Sequence, residues 1–330
     1  MGQARPIAVL TGAVVSQRVH HAYLFTGPDG VGKKRVALAF AQALNCVGGA
    51  AETGVPCGAC RPCQKITQGI HPDVSMIEPD RTKARWVVKI DAVREITRQV
   101  TFKPYEGRRR VVMIDDAHTV TVEGANAFLK TLEEPTGDTV FVLLTSQPRA
   151  LLTTIRSRCQ ALRFAPLPVE VLRGVLVAQG IEPELAALAA SFSEGSVSRA
   201  LALCQEGALE VRRQLLEDVV ALQGADALAV FDMASDLARS SPDDLRARLD
   251  FLRIFLRDVM LCKSAVPGER IANQDLLDRV ERVADRMSLD TVVRHMDRIS
   301  EVERGISHYV DARLLLEDLL FDMAGLPREG

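Results

Sequence analysis

A glycine-rich segment that ends in two lysines has the residue types needed to bind phosphate. Gly27, Gly30, Gly32 and Lys33 follow the pattern Gly-x4-Gly-Lys, after an apolar run at 23–26 and before a helical pattern. Glycines let backbone N–H groups approach phosphate oxygens, and Lys33 would reach the terminal phosphates. The segment therefore predicts a phosphate-binding loop; the alternative is a glycine-rich turn that binds no nucleotide.

Two departures from a complete ATPase site follow. Lys34 stands where the pattern has Ser or Thr, whose hydroxyl binds Mg²⁺, and an ammonium has no lone pair for a metal. Asp115 and Asp116 directly follow an apolar run at 111–114. Asp115 would be the metal-side carboxylate and Asp116 would stand at the position of the acid that orients the attacking water. The alternative is a solvated acidic pair at the end of a strand. Asp116 is about 1.5 Å shorter than Glu, and misplacement on the order of 1 Å can cost ~100-fold in rate. ATP or ADP stays a candidate ligand, whereas Mg²⁺ is disfavoured.

Four of the seven cysteines lie within residues 46–63, at Cys46, Cys57, Cys60 and Cys63. Two Cys-x2-Cys pairs share Cys60, so Cys46 must close the site from the end of the preceding helix. Four thiolates suit tetrahedral Zn²⁺ and leave no coordination position open for a substrate. We predict a structural zinc site in an insertion at 46–63; free thiols in a loop are the alternative.

The elements that must position these residues alternate between strand and helix patterns. Strands are predicted at 23–26, 74–77, 111–114 and 140–144; the last two are continuous apolar runs, as in a parallel sheet covered on both faces. Helices are predicted from Lys33, from a cap at Asp91, and over 125–134 before Pro135. Strands separated by helices indicate right-handed crossovers and a doubly wound α/β layer.

Beyond Pro168 the strand signals fade and helical patterns continue to Met323. We therefore predict an α/β parallel-sheet module at 1–166, a small helical lid at 167–206 and an all-α C-terminal domain at 207–330. The apolar positions of the last helix are predicted at Val310, Leu314, Leu316, Leu320 and Met323.

The composition bounds the class of protein. The chain has 330 residues, 47% of them hydrophobic, and a net charge of -2, which argues against a chain-wide cationic nucleic-acid binder. No apolar run approaches the roughly 18 residues that a membrane span needs, and the first eleven residues lack the pattern of a secretory signal. We expect a cytoplasmic protein with no membrane partner.

Six motifs occur in a fixed order along the N-terminal half. They are the glycine-rich loop, the four-cysteine insertion, His71-Pro72-Asp73, the run 112–118, the helical run 126–135, and Ser157-Arg158-Cys159. In this order they resemble the bacterial clamp-loader subunits of the AAA+ family, which include a delta-prime type and a gamma/tau motor type. The resemblance covers residues 5–165, weakens through the lid and is only architectural beyond it, where it implies a helical collar.

The resemblance implies roles for single residues. Arg158 matches the arginine finger, which reaches into a neighbouring subunit's nucleotide site and stabilises transition-state charge; a surface arginine in an ion pair is the alternative. Ser146 matches the sensor 1 position beside the terminal phosphate. Arg199 is offset by one residue from the sensor 2 position at Ser198, a rotation of about 100° on a helix.

Three departures separate the two types. The motor pattern has Thr at 34, Glu at 116 and Arg at 198, and this chain has none of them. With Arg158 kept, the resemblance implies a delta-prime-type component of DNA polymerase III, with no polymerase chemistry and little or no ATPase activity of its own. Its partners would be gamma/tau and delta subunits in a hetero-pentamer, the sliding clamp and primed DNA. The alternatives are an active gamma/tau-like motor and a zinc-stabilised binding module of another AAA+ assembly.

One further pattern concerns DNA. Arg94 and Arg98 lie four positions apart on a predicted helix, and Lys103 follows it. Within a ring these cations could contact DNA phosphates. An ordinary solvated basic face is the simpler interpretation.

Overall fold

The computed structural model describes residues 2–79, 88, 90–133, 138–205, 207–264, 271–307 and 310–326. At some helical positions, such as Arg94, it describes only the backbone. The chain divides into two compact units, Met1–Val175 with Glu194–Arg199 and Leu176–Ser193 with Ala200–Gly330. The three-domain division drawn from the sequence stays a prediction.

Among the described residues the first unit contains a five-stranded sheet. Its strands are β1 (Ala22–Thr26), β2 (Val74–Ile77), β3 (Arg110–Ile114), β4 (Thr139–Thr145) and β5 (Gln160–Arg163). The order is β2-β3-β4-β1-β5 and every neighbouring pair is parallel. The predicted α/β class and the four predicted strands are confirmed. The sequence did not predict β5 because it is a four-residue edge strand in which only Leu162 is buried.

The central strands are buried on both faces, and apolar side chains fill their interior positions. Along β4, Val140, Val142 and Leu144 belong to one core cluster, whereas Phe141 and Leu143 belong to another. This alternation places a hydrophobic layer on each side of the sheet. The continuous apolar runs predicted such two-sided burial, and that prediction is confirmed.

In the first unit one helix precedes β1 and the others lie between successive strands. They are α1 (Ala4–Val15), α2 (Lys33–Asn45), α3 (Ala50–Thr53), α4 (Arg61–Thr67), α5 (Ile90–Gln99), α6 (Val122–Glu133) and α7 (Thr153–Arg156). Helix α5 begins before Asp91, so the prediction of a cap at Asp91 is wrong. Helix α6 is described as far as Glu133; Glu134 and Pro135, where the sequence predicted its end, lie outside the described residues.

The remaining helices lie wholly or partly in the second unit. They are α8 (Val169–Val177), α9 (Pro183–Phe192), α10 (Val197–Leu203), α11 (Ala208–Ala221), α12 (Ala227–Ala238), α13 (Pro242–Lys263), α14 (Leu277–Arg286), α15 (Leu289–Ser307) and α16 (Ala312–Ala324). The predicted helical C-terminal part is confirmed.

Helix α16 shows where the apolar positions predicted for the last helix were wrong. Leu316, Leu320 and Met323 are buried, but Val310 precedes the helix and Leu314 is 61% exposed. Leu319, which the sequence analysis did not choose, is fully buried instead.

Within the described ranges, none of the helices combines the length and the apolar character that crossing a membrane would require.

Candidate functional site

The phosphate loop connects β1 to α2 at the carboxyl edge of the sheet, where parallel α/β sheets bind ligands. Gly27, Gly30 and Gly32 have φ angles of 148°, 74° and 95°, a region that side chains with a Cβ rarely adopt. A Cβ at Gly30 would lie 2.1 Å from the hydroxyl oxygens of Ser196 and Ser198. The loop therefore requires glycine at position 30, because these two serines pack directly on it.

Lys33 lies inside this loop and is buried. Its Nζ donates to the backbone carbonyls of Gly27 and Pro28 at 2.7 Å each, and lies 3.4 Å from a carboxylate oxygen of Asp29. The ammonium is thus held by the curve of the loop itself. A phosphate group could replace these carbonyls, as the sequence prediction requires.

Lys34 lies in the first turn of α2 beside two carboxylates. It forms an ion pair with Glu78, which directly follows β2, and its Nζ lies 4.0 Å from Oδ2 of Asp115, which directly follows β3. A magnesium site here would need a hydroxyl oxygen at position 34, and an ammonium is present instead. These residues do not fit a divalent cation. Glu78 was not predicted as a site residue, although it carries the signal that identified Asp115, an acid directly after a strand.

The end of β4 completes this edge of the sheet. Thr145, its buried last residue, has its Oγ1 3.1 Å from Nδ1 of His118, and Ser146 follows half-buried. Burial lowers the pKa of His118 although the Asp116 carboxylate opposes the shift, so the imidazole is neutral near pH 7. Asp116 itself is buried, with a left-handed φ of 44°. Of these residues, Ser146 was predicted from the sequence as a site residue, His118 appeared only within the motif 112–118, and Thr145 was not predicted.

Arg199, the residue near the sensor 2 position, makes an ion pair. Its Nη1 donates to a carboxylate oxygen of Glu194 at 2.8 Å. A guanidinium held by a carboxylate in this way is already neutralised locally. The pairing agrees with the one-residue offset from Ser198.

Arg158 lies elsewhere, just before the amino end of β5. Its Nη2 donates to Glu133 at 2.5 Å and its Nη1 to the backbone carbonyl of Thr154 at 3.0 Å. The side chain keeps 34% of its surface exposed. It borders an open groove lined by His20, His21, Leu132, Glu133, Ser157, Arg158, Cys159 and Gln160.

The strand register shows that Arg158 lies at the amino ends of the parallel strands, whereas the chain's own phosphate loop lies at their carboxyl ends. β1 and β5 are parallel, with Tyr23 beside Gln160 and Thr26 beside Arg163. The phosphate loop follows Thr26, whereas Arg158 precedes Gln160. At roughly 3.3 Å per residue, β5 alone separates the two levels by about 10 Å.

The four cysteines of the insertion come together in the first unit. Cys46 follows the last residue of α2, Cys60 precedes α4 and Cys63 lies within it, and all four sulfur atoms lie within 4.8 Å of one another. Tetrahedral zinc–thiolate bonds of about 2.3 Å place sulfur atoms roughly 3.8 Å apart. The cluster therefore has the size and the ligand types to bind a metal ion.

Backbone groups around this cluster favour thiolates. The N–H groups of Gly48 and Cys57 donate to Sγ of Cys46 at 3.3 and 3.5 Å, and that of Cys60 donates to Sγ of Cys57 at 3.3 Å. Burial would raise the pKa of Cys60, but hydrogen bonds from the backbone of Cys63 and Val47 outweigh it and lower that pKa to about 6. Burial and the neighbouring Cys60 raise the pKa of Cys63 to about 12. A Cβ at Gly48 would lie 2.7 Å from Sγ of Cys57, so only glycine fits there.

The residues considered for DNA are only partly described. Arg98 makes an ion pair with Glu95 at 2.8 Å, and both side chains are exposed. Lys103 is exposed in the segment after α5. The side chain of Arg94 lies outside the described residues, so its contribution stays a prediction.

The motif His71-Pro72-Asp73 anchors this same segment. The buried carboxylate of Asp73 accepts hydrogen bonds from the backbone N–H groups of Tyr105, Glu106 and Gly107 at 2.7–2.8 Å. It also pairs with Arg110 at 3.3 Å. Burial would raise the pKa of Asp73, but these hydrogen bonds outweigh it and lower the pKa. Its observed contacts are structural.

Comparison with known proteins gives the same assignment for both parts of the chain. Residues 2–168 match a family model described as DNA polymerase III, delta subunit, and residues 206–324 match one described as DNA polymerase III, delta subunit, C terminal. A gamma/tau subunit of Mycobacterium tuberculosis is 32% identical over 316 residues, covering 87% of this chain but only 53% of that protein.

Two relatives named DNA polymerase III subunit delta-prime match over nearly their whole length. The Bacillus subtilis protein is 29% identical over 321 residues, covering 96% of this chain and 95% of that protein. The Pseudomonas aeruginosa protein is 32% identical over 316 residues, covering 94% and 93%. On these matches, the chain belongs to the DNA polymerase III delta-prime subunit family.

Proposed function

We propose that this chain acts in the bacterial clamp loader as a non-motor subunit, whose Arg158 serves the ATPase site of an adjacent gamma/tau subunit. The assembly would use ATP to place the sliding clamp on primed DNA. Gamma/tau and delta subunits would complete a hetero-pentamer, with the helical C-terminal part as its collar. The setting would be the cytoplasm.

The position of Arg158 carries this proposal. It lies beside the amino end of β5, at the opposite edge of the sheet from the phosphate loop that follows β1. A cation at that edge is too far away to touch phosphates bound in the chain's own loop. A half-exposed guanidinium beside an open groove is, however, accessible to a neighbouring subunit. Its fixed charge and planar donors suit the charge that develops on transferring phosphate.

The chain's own pocket supports a non-motor role. Lys34 presents an ammonium where a hydroxyl oxygen would bind Mg²⁺, and Asp116 is shorter than the glutamate of active sites. The gamma/tau relative keeps the motor alternative open, because it is as similar in sequence as the Pseudomonas aeruginosa delta-prime protein. The pocket chemistry favours the delta-prime assignment over a motor.

The metal ion in the cysteine cluster would be Zn²⁺ with a structural role. Zinc prefers four thiolates in tetrahedral geometry, and a four-thiolate site leaves no open position for catalysis. Cys46, Cys57, Cys60 and Cys63 would hold it between α2 and α4. A zinc-stabilised binding module of another assembly would share this site, so zinc alone does not decide the function.

The test compares two substitutions in one reconstituted loader containing the clamp and primed DNA. Arg158→Ala should reduce ATP hydrolysis at the adjacent motor by about 10³-fold, while the whole ring loses less because its other sites keep their own fingers. Lys33→Ala should change neither ring hydrolysis nor clamp loading appreciably. Arg156→Ala, at an exposed position of α7 two residues from the finger, is the matched control.

Assembly must be verified by size for every variant, because a ring that fails to form also hydrolyses no ATP. An intact ring in which Lys33→Ala abolishes loading and Arg158→Ala has no effect would make this chain a motor. An intact ring indifferent to both substitutions would refute the arginine-finger role.

A further inference from the structure

The carboxyl edge of the sheet holds a cation of its own. Lys34 extends from the first turn of α2 to Glu78 at the end of β2, and its Nζ lies 4.0 Å from Oδ2 of Asp115 at the end of β3. Residues 77 and 114 are register partners on these neighbouring strands, so the two carboxylates follow adjacent strand ends. One ammonium therefore connects three elements of the pocket.

Lys34 occupies the carboxylates, Glu78 and Asp115, that a metal site would need. Asp115 is only 14% exposed, so a carboxylate there needs a nearby positive charge to offset the cost of burial. In a magnesium site a divalent cation supplies that charge, together with oxygen ligands in near-octahedral geometry. Here Lys34 supplies it, and a second cation at the same carboxylates would be repelled.

We propose that Lys34, seated by Glu78 and Asp115, is a resident replacement for Mg²⁺ that closes this pocket to magnesium-bound nucleotide. Glu78 is the positioning residue of this seat, since its carboxylate pairs with the ammonium at the end of β2. The inference rests on the proposed non-motor role and gives it a physical basis. In an active subunit Mg²⁺ connects the phosphate loop to the acid at the strand end, and it is lost when nucleotide leaves. The ammonium of Lys34 is covalently attached to the chain and stays.

Lys33 shows the same tendency toward internal pairing. Its ammonium already contacts two loop carbonyls and Asp29, and Ser196 and Ser198 pack on Gly30. Nucleotide would have to displace these contacts without the help of a metal ion. The pocket would then serve as a fixed connection between α2, β2 and β3.

The test uses the full chain, loaded with zinc, and titrates it with the fluorescent nucleotide mant-ADP with and without Mg²⁺. In the native chain Mg²⁺ should not strengthen binding. Lys34→Thr supplies the missing hydroxyl and leaves Glu78 and Asp115 for the metal, so Mg²⁺ should strengthen binding by about tenfold or more. Lys65→Thr is the matched control, since Lys65 pairs with Glu106 outside the pocket and its loss should create no magnesium dependence.

Two further variants identify the seat. Adding Lys33→Ala to Lys34→Thr should abolish the gained binding, which locates it in the phosphate loop. Adding Glu78→Gln should reduce the magnesium effect of Lys34→Thr, whereas a purely structural role of Glu78 would leave it unchanged.

Three results would overturn the inference. They are magnesium-dependent binding by the native chain, no magnesium effect in a folded Lys34→Thr variant, and a gain equal to that of Lys34→Thr in the Lys65→Thr control. None of them bears on Arg158, whose role is measured in the assembled ring, so the inference and the proposed function can fail separately.

Discussion

Replacing the buried carboxylate of Asp73 should destabilise the first unit far more than replacing an exposed acid. Asp73 has no exposed side-chain surface and accepts three backbone hydrogen bonds in addition to its ion pair with Arg110. In Asp73→Asn the amide oxygen can still accept a hydrogen bond. The amide nitrogen is a donor, so it faces backbone N–H donors to which it cannot bond. The guanidinium of Arg110 also loses its charge partner.

The size of the effect follows from these contacts. Hydrogen bonds to a charged group contribute roughly 1.5–3 kcal/mol each, and breaking a buried charge pair costs about 3–5 kcal/mol. Because neighbouring contacts are not additive, we expect Asp73→Asn to lower the free energy of unfolding of the first unit by about 3 kcal/mol at pH 7. Glu170→Gln removes an exposed pair with Arg173 and should change it by less than about 0.5 kcal/mol.

The pH dependence gives an independent check. The pKa of Asp73 is lower in the folded chain than in the unfolded chain, so its stabilisation is present above the unfolded-state pKa and is lost as the pH falls through the folded-state pKa. The difference between native chain and Asp73→Asn should therefore hold from about pH 7 to pH 5 and shrink below about pH 4.

Urea unfolding followed by circular dichroism measures both effects, provided that the transitions of the two units are fitted separately. A loss below about 1 kcal/mol at pH 7, or a difference that does not shrink in acid, would refute the assigned role of the carboxylate.

Cys60→Ser should reduce the metal content below one zinc ion per chain and lower the melting temperature of the first unit; elemental analysis that finds no metal in the native chain would contradict this. Gly30→Ala should destabilise by about 1–3 kcal/mol because of its φ of 74° and the serine hydroxyls beside it, whereas Gly12→Ala, in helix α1 with open space around it, should stabilise by about 0.5–1 kcal/mol in the same melts. Charge reversal at Arg98 and Lys103 should weaken DNA-stimulated loading and reduce its salt dependence; unchanged loading would favour a solvated basic face.

The sheet could be predicted from the sequence because burial on both faces leaves a local signature. The run at 140–144 is apolar at every position, and only a strand covered on both sides needs this. The edge strand β5 carries no such signature, since Gln160 and Arg163 face solvent. In α16 the helical period was clear, but the buried face depends on what packs against it, so Leu314 was chosen in place of Leu319.

The candidate site shows the same limit. The glycines, the cysteines and Asp115 could be found because their spacing along the chain reflects their chemistry. The same signal, an acid directly after a strand, marks Glu78, but it does not predict the pairing with Lys34, which is 44 positions away on α2. Glu133, 25 positions from Arg158, is a second case. Such pairs are set by tertiary structure, which a local pattern does not contain.

Lys34 and Arg158 differ in how readily a phosphate group could replace their carboxylate partners. Lys34 pairs with Glu78 and lies 4.0 Å from Asp115, whose side chain is only 14% exposed. Among the described residues, Arg158 pairs with Glu133 at a partly exposed position where an ion pair contributes roughly 0–1 kcal/mol. A polyphosphate brought by a neighbouring subunit carries more charge than Glu133 and could displace it at little cost. Lys34 is therefore suited to stay against the strand ends of its own sheet, and Arg158, beside the open groove, to act on a neighbour.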